Sequence, residues 1–297
     1  MNNDIIIKYG IENNNIDVTH TTLTKCVKNN ILRIPNNDHI RLSIFKIDPT
    51  PNVVKSIFIH DKEHKLIGEY DHTENIEINL ETNEIFRGGP KRLSELHNKL
   101  KLNFGSFTEE YPEQLMVSRY LKGGEKVLEI GGNIGRNSLV IASIVNNDNF
   151  VCLESDLNIA NTLKHNRDIN NFKFHIEPSA LSKRKLIQKG WDTIASDVIL
   201  DGYAEINITS YDTLKDKYNI NFDTLVLDCE GAFYYILLDM PEILDNIKLI
   251  IMENDYYNHE HKVFIDEVLT KNNFYIDYVE SGGWGPCSHN FYEVWMR

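Results

Sequence analysis

A short strand-like run, Val127-Leu-Glu-Ile130, stops on Gly131-Gly-Asn-Ile-Gly135 and passes at once into Arg136-Asn-Ser-Leu-Val-Ile-Ala142. The first run has β character and the last has helical spacing. A strand, a tight turn and a helix N-terminus in that order open a doubly wound α/β sheet, and they place a ligand at the carboxyl end of the strand. Gly131, Gly132 and Gly135 carry no side chain, so the turn's backbone N–H groups are expected to approach that ligand closely.

The spacing argues against a dinucleotide, whose fingerprint needs glycines at relative positions one, three and six. Counted from Gly131, position three is Asn133 and position six is Arg136. A phosphate-cradling loop ending in Gly-Lys-Ser/Thr is absent as well. Instead an acid, Glu129, stands on the strand, where a carboxylate disfavours a pyrophosphate and favours a cation. The sulfonium and amino groups of S-adenosylmethionine suit such a site.

Later segments add to this frame. Residues 149–154 read as a second buried strand ending in Glu154, about twenty residues after the turn, where an acid accepts hydrogen bonds from ribose hydroxyls. Residues 157–170 read as a helix, with Leu157, Ala160 and Leu163 on one face. A third strand is expected over 172–176, and Ser179 and Ala180 after it are placed to contact an adenine ring. Residues 222–230 read as a strand ending in Asp228 and Glu230, which would share a face; the plainer role for Glu230 is to complement the next helix N-terminus. A fifth strand, 248–253, ends in Glu253. Residues 261–272 form an amphipathic helix, and strands over 274–279 and 290–295 flank a loop carrying Trp284.

Taken in order, five segments resemble the FkbM family of class I S-adenosylmethionine-dependent methyltransferases, over about residues 105–280. They are Glu129-Ile-Gly-Gly-Asn-Ile-Gly135, Leu153-Glu-Ser-Asp156 with Asn158 and Asn166 behind it, Ser179-Ala-Leu181, Tyr211-Asp-Thr-Leu214 and Leu227-Asp-Cys-Glu-Gly231. The resemblance implies an α/β, Rossmann-like fold with a seven-stranded mixed sheet, helices on both faces and a final antiparallel pair. It implies O-methyl transfer to a sugar, glycan or related hydroxyl, with S-adenosyl-L-methionine as cofactor. The cofactor-binding set expected is Glu129, Gly131, Gly132, Asn133, Gly135, Asn137, Glu154, Ser155, Ser179, Ala180 and Asp228. Three positions depart from the family pattern: Glu129 replaces its Asp, Gly132 replaces its Ala, and Phe233 stands where its last acid would be.

Methyl transfer is an in-line displacement, and positioning alone contributes about 7–11 kcal/mol. A sugar hydroxyl also needs a base or a metal. The catalytic candidates are Asp228 beside the methyl donor, with Glu230 or His259 acting on the acceptor. His259 and His261 are two apart and share no helical face, so no metal site is expected there. Trp284 either lines the acceptor pocket or anchors its loop. Two other functions compete: N-methyl transfer to an amine or protein side chain, and a non-catalytic binding protein with a methyltransferase-like fold that binds the cofactor weakly or not at all. Glu129, Gly131, Asn133, Gly135 and Glu154 argue against the second of these.

Residues 1–88 read as a separate, small all-β accessory module, a sandwich or barrel, and 89–297 as the methyltransferase domain. Strand candidates are 5–9, 31–34, 40–47, 53–59, 65–70 and 76–80, with Arg87-Gly-Gly-Pro90 marking the boundary. Tyr9, Phe45, Phe58 and Tyr70 are assigned to its core. The module is open to carbohydrate binding, to homodimer formation or to simple packing. Residues 92–102 and 109–121 then read as helices. A net charge of −13 argues against a nucleic-acid partner. Cys26, Cys152, Cys229 and Cys287 show no Cys-x-x-Cys spacing and read as free thiols in a reducing compartment. The start, Met1-Asn-Asn-Asp4, lacks a leader pattern and no apolar run has membrane-spanning length, so a cytoplasmic location is expected.

Overall fold

The computed structural model describes residues 5–28 and 30–297. Residues 1–4, read above for a leader, lie outside the described residues. The chain folds as two compact units. The first reaches to Glu95 and includes Ser118–Tyr120; the second comprises Leu96–Val117 and Leu121–Arg297.

The first unit holds two four-stranded antiparallel sheets. One runs Asn14–Asp17, Ile5–Ile11, Ser56–Asp61, Leu66–Tyr70 in spatial order, the other Val27–Lys28, Ile31–Ile34, Asn75–Asn79, Ile85–Gly88. Alternating residues supply one shared core: Ile5, Ile7, Tyr9, Leu32, Ile34, Ile57, Ile59, Ile76 and Ile78 are all buried together. The segment 40–47 departs from the expected strand and forms the helix Asp38–Phe45. Ile40, Leu42 and Ile44 mimic a two-residue period, but the buried positions are Arg41 and Phe45, one helical turn apart. The Asn37 side chain accepts hydrogen bonds from the His39 and Ile40 N–H groups and starts that helix. A second helix, Thr19–Lys25, lies in a stretch read without helices. The module is therefore two sheets with two short helices.

The second unit is built on seven strands: β1 (Val127–Ile130), β2 (Phe150–Leu153), β3 (His175–Glu177), β4 (Thr224–Leu227), β5 (Leu249–Glu253), β6 (Tyr275–Glu280) and β7 (Tyr292–Met296). Their spatial order is β3-β2-β1-β4-β5-β7-β6. The first five are mutually parallel, and β7 runs antiparallel to both β5 and β6. This is the mixed seven-stranded, Rossmann-like sheet the sequence predicts. Every residue of β1, β2 and β4 is buried. That explains their mainly apolar runs, broken by Glu129 and Thr224, since central parallel strands are covered on both faces.

The main helices are α1 (Tyr111–Tyr120), α2 (Arg136–Ala142), α3 (Leu157–Ile169), α4 (Tyr211–Tyr218), α5 (Ala232–Asp239) and α6 (His259–Lys271). Leu128 and Ile130 share a core with Leu214, Ile236 and Leu269, so α4, α5 and α6 cover one face. Glu129, pointing the other way, accepts a hydrogen bond from Ser138 of α2. Helices thus lie on both faces. The strand order reverses between β1 and β4, and that switch point opens a crevice at the carboxyl ends.

Between β3 and β4 the chain makes an arm absent from the sequence reading. Leu186–Lys189 pairs with Asp192–Ala195 and with Ala204–Glu205, while Ala180–Leu181 pairs with Ile208–Thr209. No helix among the described residues is long and apolar enough to cross a membrane.

Candidate functional site

The glycine turn begins where β1 ends. Gly131 lies at φ +91°, and a Cβ there would overlap the Asp228 carbonyl oxygen. The ends of β1 and β4 approach so closely that only glycine fits. A Cβ on Gly132 would meet the Cys152 sulfur, and one on Gly135 a Leu163 methyl. These glycines answer to crowding inside the protein.

The turn's donors are also committed. Gly131 and Gly132 N–H donate to the Leu153 carbonyl at 3.1 and 2.9 Å, and Gly135 N–H donates to the Gly132 carbonyl at 2.9 Å. Asn133 N–H donates to Glu154 Oε2 at 2.9 Å, and Ile134 N–H to Asn133 Oδ1 at 2.8 Å. The expectation that free backbone N–H groups meet the ligand is corrected. The tip of β2 consumes the donors that an anion site would leave open.

A cavity of about 780 Å³ opens at the carboxyl edge of the sheet. Gly131, Asn133, Glu154, Ser155, Ser179, Ala180, Asp228 and Glu230 all line it. Glu154 is 6% exposed, and its Oε1 accepts from Asp156 N–H at 2.8 Å. Burial pushes its carboxyl above the ordinary range, against the pull of these backbone donors. Ser155 Oγ donates to Gln188 Oε1 of the arm at 3.2 Å. The buried Ser179 hydroxyl has no hydrogen-bond partner among the described residues. Trp191, at the turn of the arm, lines the cavity while remaining 60% exposed.

The wall is strongly acidic. Glu110, Glu113, Glu154, Asp228, Glu230, Asp239 and Glu253 line it, and the basic residue among them is Arg184. Arg184 is already held by Asp239, with Nε and Nη2 donating at 2.6 and 2.8 Å. Carboxylate oxygens of Glu113, Asp228 and Glu253 lie within 4.8 Å of one another. Burial pushes Asp228 well up, reinforced by the charges of Glu110 and Glu113. Glu253 is pushed up to about 11 by burial and then by its close approach to Glu113. Like charges this close cannot all ionise. Glu110, at φ +55°, accepts from Asn133 Nδ2 at 2.9 Å and from Arg136 Nη1 at 2.7 Å.

Several residues stand elsewhere than expected. Strand β4 ends at Leu227, so Asp228 and Glu230 sit on a turn, with Glu230 at φ +49°, and not on alternate strand positions. Asp255 Oδ1 accepts from the N–H of Gly231, the residue just before α5, at 2.8 Å, and the helix start has no side-chain cap from Glu230. Burial, followed by the charge of Glu230, pushes Asp255 up to about 7.

Glu129, expected to contact the cofactor, is not among the lining residues: Ile130 lines the cavity, while Glu129 accepts from Ser138 on the sheet's other face. Burial raises the Glu129 carboxyl to about 7. Gly132, Gly135 and Asn137 also lie behind the cavity wall. His259 is exposed on the first turn of α6, off the cavity, because Asn258 caps that helix and turns the histidine outward. Trp284 packs on Tyr257, ring centroids 4.6 Å apart, and is likewise outside the cavity.

Glu110, Glu113, Tyr292 and the arm were missed. The run Glu109-Glu110-Tyr-Pro-Glu113 reads as acids complementing a helix N-terminus, and only the fold turns it toward Asp228.

Among solved structures the chain is similar to the ribosomal protein L11 methylase of Lactobacillus delbrueckii subsp. bulgaricus. That match has 14% identity and a TM-score of 0.41, covering 66% of this chain and 81% of that one. It is similar to an O-methyltransferase from Bacillus cereus in complex with SAH, at 14% identity and a TM-score of 0.40, covering 70% and 91%. It is also similar to precorrin 8W decarboxylase of Methanobacterium thermoautotrophicum, at 13% identity and a TM-score of 0.39, covering 67% and 97%. No family model matches the sequence. The curated proteins hold no match to it. Activity therefore has to be read from the site itself.

Proposed function

We propose that this chain is an S-adenosylmethionine-dependent O-methyltransferase of the FkbM type, acting on a hydroxyl of a sugar, glycan or related metabolite. One observation carries the reading: a glycine turn with every N–H committed faces a cavity lined by seven carboxylates and one paired arginine. A phosphate-bearing cofactor needs donors at this point. An adenosyl sulfonium with an ammonium group needs acceptors.

The residues fit that ligand. The cavity volume lies within the roughly 300–1,000 Å³ typical of small-molecule sites. Glu154 stands at the tip of β2 with lone pairs left for ribose hydroxyls, since a carboxylate offers about four acceptor positions. Ser179 brings an unfilled hydroxyl to the same wall. Bound there, the cofactor supplies an electrophilic methyl group. Asp228, at the crevice between β1 and β4, holds the cationic end and orients it. Glu230 lines the cavity beside it and takes the proton from the acceptor hydroxyl.

In this reading residues 89–297 are the transferase domain. Residues 1–88 are an accessory module that binds saccharide or pairs two copies. The four free cysteines agree with a cytoplasmic setting. The same negative wall also favours a second reading, an ammonium-bearing acceptor and N-methyl transfer.

Calorimetry with S-adenosylmethionine and with NAD, followed by labelled-methyl transfer to a saccharide panel, tests the proposal. Binding of the sulfonium and an oxygen-linked product are expected. A nucleotide filling the cavity in its place refutes the reading, and a nitrogen-linked product selects the second one.

A further inference from the structure

The fold brings Glu113, from the first turn of α1, together with Asp228 and Glu253, from the tips of β4 and β5. Their carboxylate oxygens gather within 4.8 Å of one another. Three acids from three separate elements, pressed together beside a cavity, cannot all carry charge without a cation between them. Arg184, the basic residue on the cavity wall, is committed to Asp239 and relieves none of this.

A second observation is independent of the crowding. Glu113 is 6% exposed, and its Oε2 is buried with no hydrogen-bond partner. A buried acceptor without a donor calls for an explanation, and a bound ion or water is one.

We propose that Glu113, Asp228 and Glu253 form a divalent metal site on the cavity wall, Asp228 giving one oxygen to the ion and keeping the other for the methyl donor. Carboxylate oxygens alone are hard ligands and select magnesium, manganese or calcium over zinc or copper. Oxygens facing each other across such an ion lie roughly 4–5 Å apart, twice the metal–oxygen distance. The trio's oxygens fall within that upper limit. Three protein ligands leave the remaining positions open toward the cavity, where water or an acceptor oxygen completes the shell. The binding of the ion stands on the trio alone. Its role rests on the methyltransferase reading: it holds the acceptor hydroxyl near the methyl donor and makes it more acidic, and Glu230 receives the proton.

The test uses the full chain without cofactor or acceptor. Manganese(II) is titrated and the free ion followed by electron paramagnetic resonance. Saturable binding of a single ion, displaced by magnesium or calcium, is expected. Glu253→Gln and Glu113→Gln should each weaken that binding about tenfold or more, while Asp212→Asn, an exposed acid away from the trio, leaves it unchanged.

Thermal melts of each variant, with and without manganese, separate lost binding from lost folding. The metal should raise the wild-type melting temperature and leave Glu253→Gln unmoved. Wild-type protein that ignores all three ions at millimolar concentration overturns the proposal, as does binding that survives both substitutions. Calorimetry with S-adenosylmethionine in EDTA is read separately, so the cofactor reading and the metal site fail independently.

Discussion

The main-chain N–H of Asn133 donates to Glu154 Oε2 at 2.9 Å, so the glycine turn after β1 and the acid at the tip of β2 form one hydrogen-bonded unit. Asp156 N–H holds the other oxygen at 2.8 Å. One buried carboxylate therefore sets the shape of the turn and presents its spare lone pairs to the cavity.

Glu154→Gln keeps the volume but replaces one acceptor oxygen by a donor. Either the Asn133 or the Asp156 N–H then faces an amide N–H. We expect a loss of about 1–3 kcal/mol in stability, the cost of an unsatisfied buried donor. Affinity for S-adenosylmethionine should drop about tenfold or more. Urea unfolding and calorimetry read the two effects. Unchanged affinity would remove Glu154 from the ribose site.

Gly131→Ala drives a methyl group into the Asp228 carbonyl oxygen at a left-handed backbone position. It should destabilise the fold by more than about 3 kcal/mol. Gly124→Ala is the control, because nothing lies within 4 Å of its Cβ position. It should be neutral or stabilise by up to about 1 kcal/mol. Equal melting temperatures for the two variants would contradict the close approach of β1 and β4.

Glu129 makes stability depend on pH. Its folded carboxyl titrates near 7, above the ordinary value of 4.5. Below 4.5 the group is protonated in both states and its contribution is fully present. Between 4.5 and about 7 the unfolded chain ionises while the folded one keeps its proton, so stability falls as pH rises. Above about 7 the loss is complete. Glu129→Gln still accepts the Ser138 hydrogen bond and cannot ionise. Its stability relative to wild type should therefore grow by about 1–3 kcal/mol from pH 4.5 to pH 7.5. Urea midpoints across that range measure it, and a flat difference curve would mean that the buried acid stays paired or hydrated.

Trp191→Ala removes a ring that lines the cavity but is 60% exposed. The melting temperature should stay nearly constant. Affinity for cofactor or acceptor should drop about three- to tenfold, the range of one aromatic contact. Unchanged affinity for both would place the arm outside ligand recognition.

The central sheet was legible because β1, β2 and β4 are covered on both faces, and mainly apolar runs ending in Gly131, Glu154 and Asp228 announce that directly. The helix Asp38–Phe45 was not, because Ile40, Leu42 and Ile44 alternate as a strand does while its buried residues are Arg41 and Phe45. The cavity acids divide the same way. Glu154 and Asp228 stand at strand tips, where topology puts ligands. Glu113 reaches the same place from a helix more than a hundred residues before Asp228, and no local pattern reports that meeting. Glu129 was assigned to the ligand from its nearness in sequence, but strand alternation turns it to the far face.

The overlap that a Cβ at position 131 would make with the neighbouring strand has a consequence for reading chains of this kind. A glycine here records how tightly two backbones are pressed together, and it would be needed whether or not anything ever entered the crevice. Chains whose crevice received no ligand would keep it, while the acids at positions 113, 228 and 253 would be free to drift.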